Sequence, residues 1–216
     1  RANSDLASGW GNLSSRTLTM IARYCDSRIP SGVIPEDKLL LAKRTGVDTD
    51  ETTVAGFIEH ARDQFVHHFE NLAFSKALET AWSVVARVDK MITDAKPWDL
   101  AKDQNQKQTL GVVLYRAAES LRWLSVVLYP VMPEASLAIW KQSGLDGSPA
   151  QSDPAQLKWG ALKEGSTIGE VQPVFPRMDK TKIMSEITSA TTEESAPSAV
   201  APESTAPVVH ATQADA

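Results

Sequence analysis

Ala95-Lys96-Pro97-Trp98-Asp99-Leu100-Ala101-Lys102 separates two long stretches of helical periodicity, and the reading of the whole chain turns on it. Proline fixes its own φ and disfavours helix at the residue before it, so the helix arriving through Met91 and Ile92 is expected to stop near Ala95. Trp98 is then left on a rigid turn. An indole there, flanked by Lys96 and Lys102, offers a π-face for stacking and cations for phosphate, which is what a reader of unpaired nucleotides requires. The plainer reading is a tryptophan that covers the end of a hydrophobic core.

Upstream, Phe74, Ala77, Leu78, Ala81, Val84, Val85, Val88, Met91 and Ile92 recur at helical spacing and predict a helix from Phe74 to about Ala95, capped by Asn71. Before it, Val54, Phe57, Ile58, Ala61, Phe65 and Phe69 mark another helix, capped by Thr49 or Asp50. His60, His67 and His68 belong to that helix, and with no acidic partner at metal spacing they read as surface or boundary residues. The first helix is expected from an Asn3 or Ser4 cap to Tyr24, with Leu6, Trp10, Leu13, Thr17, Met20, Ile21 and Tyr24 inward. Asp5, Ser8, Asn12 and Arg16 fall together beside that stripe. Asn12 and Arg16, an amide and a guanidinium one turn apart, carry the donors and acceptor that can read base edges, although a solvated face explains the stripe as well. Between the first two helices, the Pro30, Gly32, Pro35 and Gly46 punctuation reads as a connection, with Pro35-Glu36-Asp37 as a short helix start.

Downstream, a fourth long helix is expected from Gln106 to Leu128, with Leu110, Val113, Leu114, Ala117, Leu121, Leu124 and Leu128 inward and Arg116, Glu119 and Arg122 outward. Pro130 and Pro133 end it. A fifth, from Glu134 to Ser143, is closed by Gly144. The expected fold is all-α: a bundle of about five helices over residues 1–144, an irregular arm over 145–184 fixed on it by Trp159 and Phe175, and a disordered acidic tail over 185–216, too poor in aromatics to repay ordering.

Charge and composition narrow the function classes. The 216 residues carry a formal net charge of −5 and are 42% hydrophobic. Five acids and no Lys or Arg lie beyond Ser185, so residues 1–184 balance at 22 basic and 22 acidic side chains. That excludes gripping nucleic acid by charge alone, while leaving room for a local basic face. Cys25 is the only cysteine, which rules out an intrachain disulfide and a cysteine-based zinc site. The longest apolar stretch, Trp123 to Met132, is interrupted by Ser125 and Pro130 and falls short of the roughly 18 residues of a membrane helix. There is no phosphate-binding glycine loop after a strand and no nucleophile-elbow or metalloprotease spacing, so no catalytic residue is assigned within the chain. The opening on Arg1, with helical pattern running by Leu6, reads as a cut through a larger protein.

In order along the chain, Asn3-Ser4-Asp5-Leu6-Ala7, Gly11-Asn12-Leu13-Ser14-Ser15-Arg16, Lys96-Pro97-Trp98-Asp99-Leu100-Ala101-Lys102, Leu128-Tyr129-Pro130-Val131-Met132-Pro133 and Phe175-Pro176-Arg177 together resemble the C-terminal α-helical anticodon-binding domain of bacterial methionyl-tRNA synthetases, over roughly residues 1–179. The resemblance implies that Asn12, Arg16, Pro97 and Trp98 read anticodon bases. It also implies a parent enzyme that joins methionine to its tRNA with ATP and magnesium in a catalytic domain absent from this chain, with zinc in that domain an open matter. Its implied partners are initiator and elongator methionine tRNA and that catalytic domain, with no membrane or DNA partner, in the cytoplasm. The departures are Ser8-Gly9-Trp10, where the family has a more polar run, so that the first turn is expected to pack differently; Asp89, where asparagine is common and where a carboxylate would repel phosphate; and the absence of the His-x-Gly-His and Lys-Met-Ser-Lys-Ser active-site signatures. Two rival readings are the anticodon-binding domain of a class I synthetase for isoleucine, valine, leucine or cysteine, and a helical protein-interaction module without RNA binding.

Overall fold

The computed structural model describes residues 9–32 and 51–175. The Asn3 and Ser4 caps, Asp5, Leu6 and Ser8, the Pro35-Glu36-Asp37 segment, the Thr49 and Asp50 caps, Pro176 and Arg177, the end of the arm and the tail lie outside them. The helices are α1 (Asn12–Tyr24), α2 (Glu51–Glu70), α3 (Phe74–Ala95), α4 (Pro97–Leu100), α5 (Lys107–Val127) and α6 (Pro133–Gln142). The described residues contain no strand, only an isolated antiparallel bridge between Arg28 and Thr167. The all-α expectation holds.

The periodicity of α3 translates directly into packing: Ala77, Ala81, Val84, Val85, Val88, Met91 and Ile92 are all buried, and the helix runs over the expected residues. Its cap is not the expected one. Ala73 holds the cap position with no side-chain hydrogen bond, while Asn71 Nδ2 donates to the His67 carbonyl at 2.7 Å and so closes the end of α2. An asparagine between two helices can serve either terminus, and the tight turn through Leu72, at φ 58°, aims it backwards. Phe74, at the exposed start of α3, is 47% accessible rather than inward.

α1 is preceded by one π-helical turn over residues 9–11, in which Trp10 and Gly11 are buried. Leu13, Thr17 and Ile21 are buried as their spacing requires, and Ser14 and Leu18 join them. Ser14 is accommodated because its hydroxyl donates to the Gly11 carbonyl at 2.9 Å.

The largest correction concerns α5. Arg116, Glu119 and Arg122 were expected outward, yet they are 2%, 0% and 7% accessible, and every residue from Thr109 to Val127 is buried. α5 is the central helix: α1, α2, α3 and α6 pack around it, and the chain after α6 closes its remaining face. What makes Glu119 and Arg122 tolerable inside is the dense set of partners around their charges. Arg122 Nε and Nη2 donate to the two Glu119 oxygens at 2.9 and 2.6 Å, and the backbone N–H groups of Gly160, Ala161 and Leu162 donate to the same carboxylate at 3.0 to 3.2 Å. Tyr115 and Arg122 complete the clamp by donating to the Leu162 and Lys158 carbonyls. The chain after α6 therefore lies over the bundle through this clamp as well as through apolar contacts that include Trp159 and Phe175. Leu157, Leu162 and Ile168 are its buried apolar residues, whereas Trp159 and Phe175 are half-buried, Phe175 lying 6.2 Å from the Trp10 ring.

Between α3 and α4, Lys96 takes the left-handed conformation at φ 47°, ψ 64°. This conformation costs an L-residue about 1–2 kcal/mol and costs glycine almost nothing. Lys96→Gly is therefore expected to raise stability by about 0.5–1 kcal/mol, the gain being trimmed by the freer unfolded chain. Urea denaturation checks this, and a loss would mean that the lysine side chain contributes more than its backbone costs.

Candidate nucleic-acid interface

Pro97 and Trp98 open α4, the single helical turn that follows Lys96. Proline at the first position lacks only an N–H that would have had no intrahelical partner, and its fixed φ suits the helix. Pro97 is buried and anchors the turn, with Leu100 packed below it. Trp98 is 40% accessible. Its indole is thus held by its inner side and presents the rest to solvent, the arrangement a stacking platform needs and a core-filling tryptophan lacks. Lys102 Nζ donates to Asp99 at 2.8 Å. That hydrogen bond, ahead of the charges of Lys102 and Lys96, holds the Asp99 carboxyl below its usual range, and the same pairing raises Lys102. Lys102 is consequently a compensated cation, while Lys96 stands exposed with no ion-pair partner among the described residues.

The other two candidate readers lie on α1. Asn12 is exposed at its first position, and Arg16 is half-buried one turn later. Arg16 Nη1 donates to Asp89 Oδ1 on α3 at 2.5 Å. A Cβ at Gly9 would stand 3.8 Å from Trp82 Nε1. Residues 9 and 16 thus face residues 82 and 89 in a constant register, so α1 runs alongside α3 in the same direction. At its far end Tyr24 comes within electrostatic reach of Lys102.

This register fixes the spacing of the candidate site. Asp89 precedes Ala95 by six residues, about 9 Å of helix, and Asn12 lies a further turn back. The structure therefore brings Asn12 and Arg16 together on one face and Pro97 and Trp98 together on the turn. By this register the two pairs are separated along the α3 axis by more than two helical turns.

No family model matches the chain. A methionine-tRNA ligase of Caldanaerobacter subterraneus subsp. tengcongensis is 36% identical over 194 residues, which cover 90% of this chain and 28% of that protein. One from Halalkalibacterium halodurans is 35% identical over 180 residues, 83% of this chain and 25% of its own length. The apo methionyl-tRNA synthetase of Mycobacterium tuberculosis superposes with a TM-score of 0.69 at 26% identity, covering 83% of this chain and 34% of that one. The chain is homologous to part of the methionyl-tRNA synthetases. It spans about a quarter of the length of the curated synthetases it matches. A second Mycobacterium tuberculosis structure, with a TM-score of 0.69 at 27% identity, is of the synthetase in complex with methionyl-adenylate. The resemblance drawn from the ordered motifs agrees with these synthetase relatives, and they do not favour the isoleucine, valine, leucine or cysteine enzymes.

Two features of this synthetase region escaped the sequence. Asp89 was read as a carboxylate that would repel phosphate, and the structure adds that it is the partner of Arg16. Only the α1–α3 register reveals that, because the two residues are 73 apart in sequence. Tyr24 was read as a core residue and does pack against the core, half-buried, but its spacing could not show that it lies within electrostatic range of Lys102. The three histidines of α2 are exposed at His60 and His67 and half-buried at His68. No helix of the described residues is long and apolar enough to cross a membrane.

Proposed function

We propose that this chain is the anticodon-recognition portion of a methionine-tRNA ligase, reading the unpaired bases of methionine tRNA along the edge from Asn12 to Trp98. The observation that carries the reading is the half-exposed Trp98 indole, seated on a buried proline at the end of a line that also presents Asn12 and Arg16. Trp98 stacks on a base, and Pro97 fixes the platform. Asn12 offers both donor and acceptor to a base edge. Arg16, its charge partly compensated by Asp89, offers its remaining N–H groups to a base edge or an adjacent phosphate. In the parent enzyme, a catalytic domain outside this chain uses ATP to join methionine to initiator and elongator tRNA in the cytoplasm. That parent activity fits the methionyl-adenylate bound by the Mycobacterium tuberculosis relative.

The test is equilibrium binding of the chain to an anticodon hairpin with a CAU loop, against hairpins altered at each loop position, at low and moderate salt. The CAU hairpin is expected to bind tightest, with affinity falling as salt rises because phosphate contacts release counterions. Equal binding to all loops would remove the anticodon assignment. Binding that is weak and insensitive to salt would favour a protein-interaction module.

A further inference from the structure

Where α1 ends and α5 begins, the surface carries a hollow of about 170 Å³. Tyr24, Cys25 and Pro30 form its walls, buried Leu110 and Gly111 its floor, and exposed Lys107 its rim. We infer that this hollow is a second nucleotide site, taking one unpaired base against Tyr24 with the adjoining phosphate on Lys107, on the same RNA strand that Trp98 holds. The inference rests on the anticodon reading and adds a contact to it.

Four observations carry it. The volume is below the roughly 300–1,000 Å³ of pockets for drug-sized ligands and suits a single planar ring system. The lining is largely apolar with an aromatic wall, Tyr24, over whose ring the Arg23 guanidinium lies 5.6 Å from the centre. Lys107 has no ion-pair partner among the described residues, so its charge is available; of the carboxylates around the start of α5, Asp99 is engaged by Lys102 and Asp103 accepts from the Asn105 N–H. Finally, the wall is preformed: Ile29 N–H donates to the Ser166 carbonyl and Gly165 N–H to the Ile29 carbonyl, both at 2.8 Å. Continuity with the platform comes through the chain itself: the Asp103 N–H donates to the Leu100 carbonyl and the Gln106 N–H to the Asp103 carbonyl, so the turn that carries Trp98 leads directly into Lys107.

The unique thiol makes the hollow measurable. Burial first, then Asp26, pushes the Cys25 thiol up, so its alkylation is slow and a bound base slows it further. With the CAU hairpin at saturation, the alkylation rate of Cys25 in the full chain is expected to fall at least about fivefold. That protection should vanish when one particular nucleotide of the hairpin is made abasic. Lys107→Glu is expected to weaken hairpin binding about tenfold and to lower the salt slope by about 0.7. Because Lys107 is the first residue of α5, an acid there suits the helix terminus, and the melting temperature should not fall. The proposal is overturned if the hairpin binds and needs Trp98, yet Cys25 alkylation is unchanged or stays slowed with every abasic hairpin, or Lys107→Glu binds like the parent. Absence of any hairpin binding at low salt would instead overturn the anticodon reading, and this site with it.

Discussion

Trp98→Ala is expected to weaken binding of the CAU hairpin about 5- to 150-fold, the range that follows from about 1–3 kcal/mol of stacking per base at 1.4 kcal/mol per tenfold. The indole is 40% accessible, so truncation also uncovers apolar surface beneath it. That costs about 1–2 kcal/mol of stability and lowers the melting temperature by roughly 2–8 °C, leaving the chain folded at 25 °C. The two effects separate with Trp98→Leu. Leucine restores much of the apolar cover but has no π-face, so stability should return toward the parent value while hairpin affinity stays low. Recovery of both would show that the tryptophan serves as a lid on the end of α3 and that the stacking platform lies elsewhere. Hairpin affinity and urea midpoints measured on the same three proteins decide the matter.

The parts of the fold that could be read in the sequence are those in which one side of a helix meets the core and the other meets water. α3 shows this best: its apolar stripe and the proline after Lys96 set both its face and its last residue. α6 is similar, with Pro133 inside its start and Gly144, at φ 74°, just past its end. α5 defeats the same reasoning because it is enclosed on every side. Arg116, Glu119 and Arg122 keep the spacing of a solvated face, and nothing local in the sequence says that a loop some 40 residues later brings backbone donors to Glu119. The candidate site divides along the same line. Pro97 and Trp98 are legible since proline dictates the local backbone, and Asn12 and Arg16 are legible as neighbours one turn apart. The Arg16–Asp89 pair and the approach of Tyr24 to Lys102 depend on the side-by-side placement of α1 and α3, a tertiary fact. A part-exposed pair of this kind is worth about 1 kcal/mol or less, so in the proposed complex an exchange of Asp89 for an RNA acceptor by Arg16 would cost little.

Glu119→Gln is expected to be the most destabilising conservative change in the chain. The native carboxylate, fully buried, accepts from Arg122 through two nitrogens and from three successive backbone N–H groups. The amide turns one acceptor oxygen into a donor facing donors, and it leaves the Arg122 charge buried without its counter-ion. Breaking a buried pair from one side costs about 3–5 kcal/mol, and for a domain of this size that lowers the melting temperature by roughly 6–20 °C. Arg122→Met distinguishes the ion pair from the clamp. It removes the cation but leaves the carboxylate its three backbone donors, so the amides of Gly160, Ala161 and Leu162 should stay protected from hydrogen exchange, whereas Glu119→Gln should release them. If both variants lose that protection equally, the arm is held by the ion pair and not by the carboxylate's grip on its backbone. The Trp98 turn is held by α3 and by Pro97 and Leu100 against α5, independently of the arm. Trp98-dependent hairpin binding by folded Glu119→Gln protein should therefore change by less than about threefold, under 1 kcal/mol. Such a result would place the energetic centre of the fold and its RNA-reading edge on different faces of the same helix bundle.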